Sequence, residues 1–475
     1  MWWRRLALAA LCAAAIALAG LAPAAGQEPA QLAIHNGRLW DGTGAPIIQD
    51  GVIVIEGNRI VAAGSADEVA VPPHAATIDA GGGLIMPGVI DNHTHLAAGW
   101  RDVVEDHLTP WLQAGVTTLV DVGFPREGAT LPNGLVVDDG VALLRTLIAV
   151  LSEEPPRALI AGPILTAPGG YPEPRGTLDA LAAQPVAGPD DARARVARLI
   201  DVQGAELIKV AIEAGFDADY EDPGWPVPDR ETLAAIAEAA HERGKTVRAH
   251  VTQEGELLAA VEAGFDVAAH TPIEPLSDEA LTRARDAGVI LVSTVNIWGG
   301  DGGRIAAEND ARYTRLGGRV ALGTDFPFQP GSSMPVKEML MLIEAGMTPE
   351  EALLAATKHG GEALGMGDEL GTLEPGGLAD MIVVDGDPLA DIEDMERVTV
   401  VVRDGEVIVG DVVEPSATAT PGATATPPAD LPDTGGGAEG GPWDAWPLPA
   451  GLAGAAALTA GALLVLARLA LARRR

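Results

Sequence analysis

One cysteine in 475 residues, Cys12, excludes a disulfide scaffold and a thiolate zinc site for nearly the whole chain. Lysine is scarce too: Lys209, Lys245, Lys337 and Lys358 are the full set of 4, so an oddly placed lysine is informative. Basic residues as a group are outnumbered, 31 Lys+Arg against 67 Asp+Glu, for a formal charge of -36. Phosphate binding needs a basic patch, and that deficit disfavours a nucleic-acid partner. The chain is not an acidic disordered one, because hydrophobic residues make up 47% and can bury a sizeable core. Its length allows two to four domains.

The two ends read as addresses. Residues 1–27 carry Arg4 and Arg5, an apolar run from Leu6 to Leu21 and the small residues Ala22, Ala24 and Ala25, the layout of a secretory signal peptide. An uncleaved membrane anchor is the alternative. After Val413 a Ser/Thr/Ala/Pro run over 414–430 reads as an extended linker. LPDTG follows at Leu431 to Gly435, then an apolar stretch over 446–467, long enough for a transmembrane span, and a basic tail at Arg473, Arg474 and Arg475. This order resembles the cell-wall sorting signal of sortase substrates. The resemblance implies cleavage between Thr434 and Gly435, with sortase and peptidoglycan as partners; a plain C-terminal anchor is the alternative. Either way the folded part is held outside the cell, wall-anchored or membrane-anchored. Without its ends the body has 25 basic and 64 acidic residues, near -39, which keeps it solvated.

Two kinds of pattern divide the body. Segments 28–85 and 370–413 hold short alternating runs with Asp-Gly and Glu-Gly-Asn turns, expected as antiparallel strand pairs of one small β-sandwich built from both flanks. Over 86–369, eight β-rich runs alternate with Ala-rich helices. The runs fall at 89–96, 116–123, 157–165, 206–212, 246–252, 265–272, 289–296 and 319–326. That grammar predicts an α/β fold, a (β/α)8 TIM barrel, with a doubly wound sheet as the competitor.

Chemistry-bearing residues sit at the C-terminal ends of these runs, where barrel enzymes place their sites. His93 and His95 are two apart on one strand and share a side; His250, His270 and Asp325 end later strands. Imidazole nitrogens and a carboxylate are the ligands of a catalytic zinc-like ion. Lys209 lies among Leu207, Ile208 and Val210, where an uncompensated cation is costly. Desolvation would make its amine neutral and able to react with carbon dioxide; an edge lysine reaching water is the bland alternative. His35, His74, His107, His241 and His359 fall on loops, helices or flank strands and are read as ordinary.

The order His93/His95, Lys209, His250, His270, Asp325, together with IMPGVIDNHTHL and LGTLEPGGLADMIVVDGDPL, resembles the amidohydrolase superfamily over about 31–412. The strand-four lysine resembles its binuclear hydrolases, including Xaa-Pro dipeptidase and N-acyl-amino-acid hydrolase relatives. The resemblance implies two divalent ions, Zn2+ being the expected metal. His93, His95 and Asp325 would hold one and His250 and His270 the other, with carboxylated Lys209 between them. It implies hydrolysis of an amide-like C–N bond by a metal-activated bridging hydroxide, with Asp325 as catalytic proton carrier. Relatives often carry a histidine after GG following strand three; here that place holds Tyr171. Substrate contacts are expected from the loops 97–114, 166–190, 213–230, 297–317 and 327–335, which hold Arg101, Tyr171, Arg175, Tyr220, Trp298 and Arg304, with Tyr171 and Trp298 named first. A mononuclear deaminase of the same superfamily and a wall-displayed binding protein that has lost activity are the competing readings.

Overall fold

The computed structural model describes residues 31–96, 100–132, 134–176, 178–215, 224–327 and 334–415. The expected signal peptide, linker, LPDTG with Thr434 and Gly435, and the apolar 446–467 stretch lie outside the described residues, as does Tyr220. Among the described residues no helix is long and apolar enough to cross a membrane.

The N-terminal flank gives β1 (Gln31–Leu39), β2 (Ile48–Glu56), β3 (Arg59–Ser65), β4 (Ala76–Asp79) and β5 (Leu84–Pro87). The middle gives ten short strands: β6 (Val89–Thr94), β7 (Val116–Asp121), β8 (Arg157–Ile160), β9 (Ile164–Thr166), β10 (Ala183–Pro185), β11 (Ile208–Ala211), β12 (Val247–His250), β13 (Val267–Ala269), β14 (Ile290–Val292) and β15 (Arg319–Ala321). The C-terminal flank adds β16 (Met381–Val384), β17 (Val398–Arg403) and β18 (Glu406–Val409).

Both flanks join one sheet of 8 strands, ordered β18-β17-β16-β5-β1-β2-β3 with β4 on β1. Antiparallel pairs from the two flanks are thus linked in a single hydrogen-bonded path, in which β4 and β5 lie parallel to β1. The cause is legible in β5 and β16, which are apolar on both faces. Ile85, Met381 and Val383 belong to the sheet's own core, whereas Leu84, Met86, Ile382 and Val384 pack into the main core with the middle segment. A strand with two apolar faces belongs inside a sheet, not at its edge. At the β17–β18 hairpin, Asp404 (φ 52°) and Gly405 (φ 76°) both take the left-handed conformation that a two-residue turn needs. The Arg157 guanidinium of β8 reaches Asp380 at 3.1 Å and Asp404 at 2.5 Å, tying this sheet to the middle segment.

The middle strands form a parallel pair of sheets, β6-β7-β8 and β10-β9-β11-β12-β13-β14-β15. Backbone bonds join their ends. On one side Glu206 N–H, just before β11, donates to the Ile160 carbonyl of β8 at 3.0 Å. On the other side Asn92 N–H donates to Leu322 at 2.9 Å, Asp325 N–H to His93 at 2.8 Å and His95 N–H to Phe326 at 2.7 Å. The third expected strand is broken into β8 and β9, because Gly162 is left-handed (φ 76°) and Pro163 has no N–H to give. Helices cover the strands. Arg230–His241 is typical: Asp229 caps it by accepting from Thr232 N–H at 2.8 Å, and Leu233, Ile236, Ala237 and Ala240 are buried against the strands. The fold is therefore mixed α/β, with every parallel strand aimed the same way and its C-terminal end at one face.

Candidate metal centre

Strands β6, β11 and β12 carry His93, Lys209 and His250, three of the six expected ligands, and His95, His270 and Asp325 follow β6, β13 and β15. The structure brings His93, His95 and Asp325 together: Oδ1 of Asp325 lies 3.5 Å from His93 Nε2 and 3.2 Å from His95 Nε2. The His93 ring is 4.3 Å from that of His270, which is 4.6 Å from that of His250. One ligand atom each from His93, His270 and Asp325 falls within 4.8 Å of the others.

Three backbone positions at this face are left-handed without being glycine: His270 (φ 100°), Thr294 (φ 45°) and Asp325 (φ 56°). Such residues cost about 1–3 kcal/mol each and persist only where the surroundings hold them. Asp91 does much of the holding. It accepts from His93 N–H at 3.1 Å and Thr324 N–H at 3.0 Å, and from the Thr324 hydroxyl at 2.6 Å, locking β6 to the turn before Asp325. Burial pushes the Asp91 carboxyl up to about 7, against the pull of these hydrogen bonds. Near Thr294, Glu338 accepts from Ser293 Oγ at 2.7 Å, Val295 N–H at 2.6 Å and Asn296 N–H at 3.0 Å.

The electrostatics favour neutral nitrogen donors. Burial holds His93 and His270 well below the ordinary histidine range, helped by Lys209 at His93 and by His250 at His270. Burial also lowers His95, but the Asp325 carboxylate outweighs it and the net direction is up. Lys209 is 1% exposed, and burial brings its amine down to about 7, with Asp325 opposing and Arg248 assisting. Among the described residues neither ring nitrogen of His93 nor the Lys209 Nζ has a hydrogen-bond partner. Buried polar atoms are almost always paired, so orphans of this kind at one place call for a group that would satisfy them. A donor set of imidazole nitrogens, a carboxylate and an amine suits a divalent ion of the zinc class, and the residues present fit it.

Aromatic rings surround the centre. Tyr171 stacks on His250 at 4.5 Å and 21°, Trp225 lies 5.7 Å from Tyr171, and Trp298 meets His270 edge-on at 5.6 Å. Arg175 reaches the Tyr171 hydroxyl at 3.3 Å. Arg304 does not face this group. Most of the expected loop 297–317 is the helix Gly300–Arg315, on which Arg304 pairs with Asp301 and Glu308 at the surface. Arg101 sits on the helix Trp100–Asp106. The remaining histidines have ordinary partners where these are seen: His359 Nδ1 at the Val320 carbonyl and His241 Nε2 at Asp266.

Sequence reasoning passed over several residues that build this centre. Glu213 lies 2.6 Å from His250 Nε2, and Asp121 accepts from Leu96 N–H at 2.8 Å. Glu213 was accessible by the period-two rule, since Lys209, Ala211 and Glu213 face the same way. Gly123 was not, because its role is an absence: a Cβ there would lie 2.7 Å from His95 Nδ1. Gly123→Ala is therefore expected to displace the His95 ring at a cost of about 1–3 kcal/mol. Calorimetry of the metal-free variant and its zinc affinity check this; wild-type values for both would contradict it.

The chain matches the amidohydrolase family model over residues 84–408. It is 28% identical to the imidazolonepropionase of Symbiobacterium thermophilum over 394 residues, covering 72% of this chain and 85% of that one. It is 26% identical to the ochratoxinase of Aspergillus niger over 430 residues, covering 80% and 87%. Among solved structures, a Xaa-Pro dipeptidase superposes with a TM-score of 0.68 at 24% identity, over 80% of this chain and 100% of that chain. The chain belongs to the amidohydrolase family and, with these relatives, is a hydrolase acting on carbon–nitrogen bonds.

Proposed function

We propose that this chain is an exported hydrolase of amide-like C–N bonds, of dipeptide or N-acyl amino acid type, working with two divalent ions. The ring of strands is read as a closed (β/α)8 barrel with a small β-domain from its flanks. His93, His95 and Asp325 would hold one ion, His250 and His270 the other, and a carboxylated Lys209 would serve both. The observation that carries this reading is the meeting of His93, His95 and Asp325 on one carboxylate oxygen, with the orphaned Lys209 amine buried among the same rings. When bound, such ions lower the pKa of water and polarise a carbonyl.

The chain's own residues supply the rest. Asp325 takes the proton of the attacking water at its carboxylate and passes it to the leaving nitrogen. The Tyr171 and Trp298 rings line the approach and exclude water from the reacting bond. The Lys209 amine, about half neutral at pH 7 for a pKa of about 7, forms an N–C bond with carbon dioxide and releases a proton, giving the carbamate. Export and wall attachment rest on the N-terminal apolar run and LPDTG.

A one-ion reading also has an observation behind it, since among the described residues His93, His270 and Asp325 form a group tight enough for a single ion. Incubating the purified full chain and zinc with dipeptides, N-acyl amino acids and lactones tests the proposal. Release of a free amino acid from an amide supports it. Ammonia release from a ring amine, with no amide cleaved, supports the one-ion deaminase instead.

A further inference from the structure

We infer that Glu213 is a positioning residue of the metal centre: its carboxylate takes the Nε2–H of His250 and leaves Nδ1 as the nitrogen offered to a divalent ion. The inference rests on the reading above in which His250 is a ligand.

The contact is short and dry. Glu213 Oε2 lies 2.6 Å from His250 Nε2, with side chains 5% and 7% exposed. A neutral imidazole has one N–H and one lone pair, so whichever nitrogen donates fixes the other as the ligand. A carboxylate oxygen can only accept, which places the proton on Nε2. The ring plane is set independently by Tyr171, stacked at 4.5 Å, so Glu213 fixes the edge and Tyr171 the face. Ligating histidines commonly give their second N–H to a carboxylate, and loss of that partner typically weakens metal binding 10–100-fold.

Glu213 is itself held to this place. Ile212 N–H donates to the His250 carbonyl at 3.2 Å, bringing the end of β11 alongside the end of β12. Glu256 then accepts from Ala214 N–H at 3.1 Å and from Thr252 N–H at 2.6 Å, clipping the turn after Glu213 to the turn after His250. The loop-to-loop tie is therefore already made by Glu256, and a merely structural Glu213 would duplicate it. The neighbouring histidine shows the mirror arrangement: His270 Nδ1 is engaged by Thr294 Oγ1 at 2.8 Å, which leaves Nε2. The two rings of the second ligand pair are thus fixed by oxygen partners on opposite nitrogens.

The test is zinc affinity by chelator competition on the purified full chain, wild type against Glu213→Gln, with thermal melting of the metal-free proteins alongside. The wild type is expected to bind two ions, and Glu213→Gln is expected to weaken one of them 10–100-fold while the other and the melting temperature stay in place. Two ions in the wild type with equal affinities in Glu213→Gln overturn the role of Glu213 while leaving the two-ion reading intact. One ion in the wild type contradicts both. Should the variant not fold, 15N shifts of His250 in the zinc-loaded wild type decide the matter. A protonated Nε2 supports the inference, and a protonated Nδ1 overturns it.

Discussion

Asp325→Asn is expected to lower kcat by about 1,000-fold or more while the protein still folds. Asn has the shape of Asp but no oxygen that can hold a proton at neutral pH, so the transfer from water to the leaving nitrogen is lost. Positioned acid–base groups contribute about 100- to 10,000-fold, and here the same oxygen also faces His93 and His95. Those two nitrogens lie 3.5 and 3.2 Å from Oδ1, so an amide that turns its NH2 toward them also spoils the ligand set. The backbone N–H of Asp325, which bonds the His93 carbonyl at 2.8 Å, is untouched by the change. Circular dichroism and melting should therefore match the wild type. More than a tenth of normal kcat in a well-folded variant would remove Asp325 from this role.

Lys209→Met should separate function from stability in opposite directions. The amine is buried, lacks a hydrogen-bond partner among the described residues and is brought down to about 7 from an ordinary 10.5, with burial as the main cause. A lysine whose pKa is lower in the folded state than in the unfolded chain destabilises the fold below pH 10.5. The cost grows as pH falls toward 7 and levels off beneath it. At pH 7 it is on the order of a few kcal/mol, and Met removes it while filling similar space. The metal-free variant should thus melt higher than the metal-free wild type. Activity should fall about 1,000-fold, with one of the two ions lost, because the carbamate cannot form. The pairing of gained stability with lost activity is what a residue kept for chemistry produces. Unchanged metal content and unchanged activity would mean that Lys209 only fills space.

The scarcity of lysine made Lys209 conspicuous, and period-two spacing made His93 and His95 a pair. Arg248 had no such signal. It is buried beside Lys209 in register, donating to the Asn92 carbonyl at 2.7 Å and the Ala363 carbonyl at 3.3 Å, but arginine is the chain's common cation. The strand-and-helix alternation of the middle segment was visible because fully buried strands leave short apolar runs between helical periods. The shape of the flank sheet was not visible. Whether β5 pairs with β1 in parallel depends on which side packs on the middle segment, and strands apolar on both faces do not say. Likewise His270 and Asp325 could be placed at strand ends, whereas the left-handed turns at Asp325 and Thr294 are braced by Asp91 and Glu338, far away in sequence.

Metal analysis of the purified full chain, by mass spectrometry after exhaustive exchange into zinc and bicarbonate at pH 8, tests the central claim most directly. The account predicts close to two zinc ions per chain, together with a carbon dioxide adduct on Lys209. One ion or none, with an unmodified Lys209, would contradict it.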